Sequence, residues 1–165
     1  MIVVALCIFS LIGNMEIEHK FLVKGDFRPV VSETHHIVQG YLCDDPCRTL
    51  RVRTLDNRAF LTVKGESSEN GLSRYEWEKE IAYADATDLL RLCLPGTIDK
   101  HRHVVIFDGR RWEVDEFHGS LEGLVLAELE VESEDAVFSI PPFVGKEVTG
   151  DRRYYNSQLR KAVEP

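Results

Sequence analysis

The sequence predicts a mainly β domain of the α+β type, built from eight antiparallel strands with a few flanking helices. From Met15 onward, polar and apolar residues alternate with a period of two, as in half-buried strands. Eight such segments are enough to close a barrel. A chain of 165 residues, with 44% hydrophobic and 29% charged residues, fits one soluble globular domain with an adequate core.

Turn sequences divide the chain into these segments. Asn70-Gly71 and Asp108-Gly109 are typical of tight hairpin connections between neighbouring strands. The strands are predicted at 15–23, 37–43, 48–55, 58–65, 73–81, 99–107, 111–117 and 124–132.

Two helices are predicted between and after the strands. The first covers 85–94, with Asp85 as its N-cap and Pro95-Gly96 as its stop. The second covers 152–161, near the end of the chain.

The N-terminal run MIVVALCIFSLIG is almost wholly apolar. It is shorter than the roughly 20 residues that a membrane-spanning helix needs, and it lacks the basic region of a signal peptide. We interpret residues 1–14 as an extension from an upstream start codon assigned in error, with residues 15–165 as the single domain. A short membrane anchor or an additional strand is the alternative.

The overall charge narrows the classes of partner. A net charge of −8 and a pI near 5.3 weigh against nucleic acid as a ligand, since duplex binding normally requires an excess of Lys and Arg. The four cysteines lack a paired pattern, which indicates reduced thiols and a cytoplasmic protein. No stable membrane association is expected.

The strands carry charged residues on one face. Taken singly, each such face fits the solvated side of an ordinary antiparallel sheet. Taken together, the faces carry positive and negative side chains in separate blocks. If a barrel closed with these faces inward, its interior would have to be a wet tunnel that binds ions, because each unpaired buried charge costs several kcal/mol. The bases in question are Lys20, Arg51, Arg53, Lys64, Lys100 and Arg102.

The segment Glu16-Ile17-Glu18-His19-Lys20 resembles the ExExK signature of the CYTH superfamily of triphosphate tunnel metalloenzymes, which includes class IV adenylate cyclases and thiamine triphosphatases. The similarity extends over residues 15–160, as in short bacterial members. Further matching segments are Gln39-Gly40-Tyr41-Leu42, Arg51-Val52-Arg53, Thr62-Val63-Lys64-Gly65, Arg74-Tyr75-Glu76-Trp77-Glu78, Lys100-His101-Arg102, Trp112-Glu113-Val114-Asp115, Ala127-Glu128-Leu129-Glu130 and Glu147-Val148-Thr149-Gly150-Asp151.

This resemblance implies a closed eight-stranded antiparallel barrel that forms a charged tunnel and hydrolyses a triphosphate with Mg²⁺ or Mn²⁺. Hard cations of this kind take carboxylate oxygens, whereas phosphates are held by Lys and Arg. The implied metal ligands are Glu16, Glu18, Asp115, Glu128 and Glu130. The implied phosphate-binding residues are Lys20, Arg51, Arg53, Lys64, Lys100 and Arg102, and the catalytic residues are Lys20, Tyr41, Glu76 and Glu78.

Inorganic triphosphate is the expected substrate, because the chain is close to a minimal barrel with no added nucleoside-recognition domain. Animal thiamine triphosphatases carry Trp two residues before the Arg pair, where this sequence has Thr49. A class IV-type adenylate cyclase, or a thiamine or nucleoside triphosphatase, is the enzymatic alternative. A polyphosphate- or nucleotide-binding module is the non-enzymatic one. The expected partner is a small-molecule triphosphate, bound by a monomer or a homodimer.

Overall fold

The computed structural model describes residues 15–163, so the interpretation of residues 1–14 lies outside the described range. The described chain contains nine strands and two short α-helices. The strands are Met15–Val23 (β1), Val31–Asp45 (β2), Arg48–Leu55 (β3), Arg58–Ser67 (β4), Ser73–Ile81 (β5), Ile98–Phe107 (β6), Arg110–Phe117 (β7), Val125–Glu130 (β8) and Val144–Glu147 (β9), and the helices are Tyr83–Leu90 (α1) and Asn156–Leu159 (α2).

The first eight strands close into an antiparallel barrel, as predicted. Their order around the barrel is β1-β5-β4-β3-β2-β6-β7-β8, and β8 pairs again with β1. The closing contact pairs Glu16 with Arg74, and β1 also pairs Lys20 with Glu128 of β8. β5 pairs only with the first residues of β1. Farther along the same edge of β1, the short strand β9 takes its place.

One strand is markedly longer than predicted, and a ninth strand was not predicted. β2 begins at Val31 rather than 37, and pairs with β6 along its polar Ser-Glu-Thr-His-His stretch, which lacks apolar alternation. β9 was not predicted, because its four residues Val144–Glu147 include a glycine and two charged side chains.

Both helix predictions were partly wrong. α1 begins at Tyr83 after an extended Ala82, so Asp85 is not the N-cap but lies in the first turn, where a carboxylate still complements the helix dipole. The predicted helix over 152–161 is interrupted by Tyr155, which is extended (φ −73°, ψ 132°) and leaves only the short α2 between two 3-10 turns.

The apolar faces of most strands lie on the outside of the barrel and are covered there. Phe21 of β1 and Trp112 of β7 are buried and both contact the ring of Phe138, within one apolar cluster that also includes Phe143. On the far side, Val52 and Ala59 pack against Ala86 of α1. The alternate side chains of these strands therefore face the barrel interior.

Neither helix within residues 15–163 has the length and apolar character needed to cross a membrane.

At one end of the barrel the inward-facing positions become apolar. Ile98, Phe117 and Leu126 share a cluster with Leu159 of α2. The C-terminal segment is held at this end by Arg160, which donates to the carbonyl oxygen of Pro95 at 2.8 Å and to Asp44 at 3.0 Å. This end is therefore filled, and we call the charged remainder of the interior the lumen.

The contact between the Pro95-Gly96 turn and the C-terminal segment predicts a sensitive position. Gly96 has φ +91°, and an added Cβ would lie 2.1 Å from the carbonyl oxygen of Arg160. Gly109 is a matched control, since it has φ +73° with nothing within 4 Å of an added Cβ. We expect Gly109→Ala to lower the free energy of unfolding by about 1–2 kcal/mol, the cost of the left-handed conformation. Gly96→Ala should lower it further, and equal urea midpoints for the two variants would contradict this packing.

Candidate active site

The lumen brings together the charged side chains singled out in the sequence. Alternation along each strand places them on the inner face, and ion pairs link them across neighbouring strands. The lumen residues are Glu16, Glu18, Lys20, Arg51, Arg53, Lys64, Glu76, Glu78, Lys100, Arg102, Asp115, Glu128 and Glu130.

The deepest part of the lumen is a network around Asp115, whose side chain has no exposed surface. Arg102 grips Asp115 through two nitrogens, both at 2.7 Å, and donates to Glu128 at 2.7 Å. Lys100 bonds to the second oxygen of Asp115, and Lys20 pairs with Glu128. Every carboxylate in this network is thus neutralised by at least two cations.

A second group lies on β3, β4 and β5. Arg53 donates to Glu78 at 3.0 Å, and Arg51 lies 3.4 Å from the same carboxylate. Thr62 completes the group by donating its hydroxyl to Glu78 at 2.6 Å. Two guanidinium groups therefore converge on one carboxylate, an arrangement that suits a phosphate equally well.

Lys64 joins this group to β1. Its amine lies 2.9 Å from Glu16 and also pairs with Glu76. Arg74 donates to the same Glu16 at 2.8 Å. Glu16 is therefore shared by cations from two strands.

Access to solvent is graded along the lumen. The side chains of Glu113 and Glu78 are 27% and 24% exposed, whereas those of Lys100 and Asp115 are 2% and 0% exposed. The lumen is thus a pocket that opens at the Glu113 side and ends near Lys100, beside the apolar cluster.

The carboxylates on β1 and β8 differ in their electrostatics. Although burial opposes it, the charges of Lys64 and Arg74 hold the pKa of Glu16 below its ordinary value. Burial and the neighbouring charge of Glu128 raise the pKa of Glu18 to about 7. Partial desolvation, followed by the charge of Glu16, also raises the pKa of Glu130. Glu18 and Glu130, which are cross-strand neighbours, are therefore short of positive charge.

Tyr41 lies on the inner face of β2 and is buried. Its hydroxyl is 3.5 Å from the side-chain amide nitrogen of Gln39, which is positioned to donate to it. Burial raises the pKa of this tyrosine. Lys20, which was predicted together with Tyr41 as a catalytic residue, is paired with Glu128 and lies 3.4 Å from Glu18.

Three further side chains contact the lumen residues but were not among the predicted site residues. Arg74 pairs with Glu16, and Glu113 pairs with Arg102. The alternation along β5 and β7, which places both side chains on the inner face, was the sequence signal for them. Asn156 lies 3.4 Å from the amine of Lys100. It belongs to the C-terminal segment, where no strand period indicates a direction.

Comparison with known proteins identifies the family. The CYTH domain profile matches residues 14–162, nearly the whole described chain. The chain belongs to the CYTH domain family.

Relatives of this CYTH domain share most of its length. It is 46% identical over 147 residues to an inorganic triphosphatase of Acetivibrio thermocellus, covering 88% of this chain and 93% of the relative. It is 38% identical over 156 residues to an inorganic triphosphatase of Nitrosomonas europaea, covering 90% and 98%. A crystal structure of an inorganic triphosphatase superposes with a TM-score of 0.64 at 35% identity, covering 88% of this chain and 93% of that one.

CYTH triphosphatases are generally metal-dependent, and the lumen of this CYTH domain has suitable donors. Glu18 and Glu130 face each other across β1 and β8 and supply the oxygen ligands that a hard divalent cation prefers. Their crowding with Glu16 and Glu128 favours a cation nearby. Within residues 15–163, no three histidine, cysteine or acidic side chains already converge on one point, since lysines and arginines hold most of the carboxylates. The donor set fits the metal once some of these ion pairs exchange partners.

The deep network predicts a large effect of Arg102 on stability. Arg102→Met removes a partner of both Asp115 and Glu128, and breaking a buried ion pair in this way costs about 3–5 kcal/mol. We expect the free energy of unfolding, measured with urea, to fall by about this amount. The control Arg58→Met breaks an exposed pair with Glu80 and should leave the stability nearly unchanged. Equal stabilities of the two variants would contradict a buried network.

Proposed function

We propose that this CYTH domain hydrolyses inorganic triphosphate with the help of Mg²⁺ or Mn²⁺ bound in the lumen. The observation that carries the proposal is the lumen itself, where six lysine and arginine side chains and a set of carboxylates line one pocket. A triphosphate carries about four negative charges, so it needs several cations along its length. The two relatives named inorganic triphosphatase, at 46% and 38% identity, support the same reaction.

We assign phosphate binding to the lumen cations. Arg51 and Arg53 converge from β3 and suit bidentate contact with one phosphoryl group. Lys20 and Lys64 lie beside the carboxylates of β1 and suit contact with a second group as point charges. Lys100 and Arg102, at the closed end, would hold the third.

We assign the divalent cation to the carboxylates of β1, β7 and β8. When bound, it supplies positive charge that offsets the charge developing on the phosphate oxygens. The residues that would hold it are Glu16, Glu18, Asp115, Glu128 and Glu130.

Hydrolysis adds water to a terminal phosphorus atom and breaks one P–O–P bond, which yields phosphate and pyrophosphate. Positioning and charge neutralisation account for most of the catalysis of such transfers. Glu76 and Glu78 lie at the more open side of the lumen, where they would orient the attacking water. Lys20 would stabilise the phosphate under attack, with Tyr41 on the same inner face.

The surroundings of the lumen support a substrate without an organic group. A cavity of about 230 Å³ beside the β2–β3 turn is lined mainly by polar and charged side chains, among them Thr49, Ser67 and Arg74, with Tyr155 as the aromatic residue in its lining. Thr49 offers no surface on which a thiamine ring would stack.

The cysteines Cys43, Cys47 and Cys93 are free thiols, which supports a cytoplasmic location.

The test is phosphate release from inorganic triphosphate, ATP and thiamine triphosphate, each with Mg²⁺, with Mn²⁺ and with a chelator. We expect metal-dependent release that is fastest with inorganic triphosphate. Glu18→Gln and Lys20→Ala should each slow turnover by about 100-fold or more, the usual effect of removing a group that stabilises transition-state charge. Asp88→Asn, which breaks an exposed pair with Arg91 on the outer helix α1, is the control and should retain activity.

Each outcome is informative. Release that continues in chelator, or that survives both lumen substitutions, would overturn the proposal. Formation of cyclic AMP and pyrophosphate from ATP would assign the lumen to a cyclase instead. Thermal unfolding of each variant distinguishes a loss of catalytic activity from a loss of folding. Glu18→Gln is nearly isosteric, so it is the less disruptive of the two substitutions for folding.

A further inference from the structure

Four of the six histidines lie together on the outer face of the barrel. His101 and His103 project outward from β6, because the alternate residues Lys100 and Arg102 face the lumen. His36 of β2 is the cross-strand neighbour of His101, with ring centroids 5.1 Å apart. His118, just after β7, approaches His101 from the other side, with centroids 4.8 Å apart. None of these side chains has a part in the proposed phosphate chemistry.

The closest approach within this group is between ring nitrogens. Nδ1 of His101 and Nε2 of His118 are 2.6 Å apart, so one ring donates a hydrogen bond to the other and the tautomers decide which. Two nitrogens bound to one tetrahedral Zn²⁺ at 2.0–2.1 Å would be about 3.3 Å apart. A small rotation of the two rings, both only partly buried, would therefore turn the hydrogen-bonded pair into a chelate.

The outer nitrogen of His118 faces a carboxylate. Its Nδ1 lies 3.7 Å from Glu122, within ion-pair distance but beyond hydrogen-bond distance, whereas His36 is bonded to Asp99 at 2.9 Å. If Glu122 closes to hydrogen-bond distance of Nδ1, it would fix the tautomer that leaves Nε2 of His118 free to bind a metal. On binding, the hydrogen between the two rings would move to the remaining ring nitrogen of His101, so that no proton need be released.

We propose that His101 and His118 form a second metal site, on the outer face of the barrel, which binds a borderline divalent transition ion such as Zn²⁺. Imidazole nitrogen suits Zn²⁺ and Cu²⁺ but not Mg²⁺, which prefers oxygen ligands. No third histidine, cysteine or acidic side chain of the described chain converges with the pair, so water completes the coordination. The site is thus distinct in position and in chemistry from the carboxylates of the lumen.

The experiment is a Zn²⁺ titration of the full chain against a chromophoric chelator, with millimolar Mg²⁺ present to occupy oxygen sites. We expect one Zn²⁺ per chain that Mg²⁺ does not displace. His101→Asn and His118→Asn should each weaken it by about tenfold or more, since even second-shell partners contribute that much. Co²⁺ substituted for Zn²⁺ should give an absorption spectrum that both variants abolish.

Two controls make the test specific. His35→Asn changes a histidine that is bonded to Asp56, outside the pair, and should leave Zn²⁺ binding intact. Glu18→Gln alters the lumen and should also leave it intact, whatever it does to triphosphate hydrolysis. Wild-type affinity in both His101→Asn and His118→Asn, or an equal loss in Glu18→Gln, would overturn the outer-face site.

Discussion

The structure depends on keeping charges paired inside a closed barrel. Each ionised group moved from water into a barrel interior costs several kcal/mol unless an opposite charge and hydrogen bonds replace the solvent. Asp115 is fully buried and is held by both Lys100 and Arg102. The barrel therefore accommodates a lumen of charged side chains only because the two signs are interleaved across neighbouring strands, and this constrains which residues each strand presents inward.

The same pairing gives the proposed reaction a physical basis. In the proposed reaction, a triphosphate would compete with Glu78 for Arg51 and Arg53, and with Glu16 for Lys64. Each phosphate that takes a cation leaves a carboxylate with less positive charge around it. Glu18 and Glu130 are already in that condition, as their raised pKa values indicate. Binding of the anion should therefore increase the affinity of the lumen for a divalent cation. Binding of the cation should likewise increase the affinity of the lumen for the anion.

Much of this arrangement follows from the sequence, because a period of two assigns side chains to faces without knowledge of distant contacts. The eight barrel strands and the grouping of their charges on one face were predictable for that reason, whereas the inward direction of that face was implied by the family resemblance. The closed end was not, since Leu159 and Asn156 belong to a segment that Tyr155 interrupts and that only tertiary contacts position. The partners of each carboxylate depend on strand register, which alternation alone leaves open. Which of them hold a metal stays a prediction.

The most direct test of the account is calorimetric titration with a non-hydrolysable imido analogue of triphosphate, with and without Mg²⁺. The binding constants are corrected for the complex that the analogue forms with Mg²⁺ in solution. The account predicts that Mg²⁺ tightens binding of the analogue, that the analogue tightens binding of Mg²⁺ by the same factor, and that Glu18→Gln removes this coupling. Independent binding of the two would contradict the idea that anion and metal exchange partners within one charged lumen.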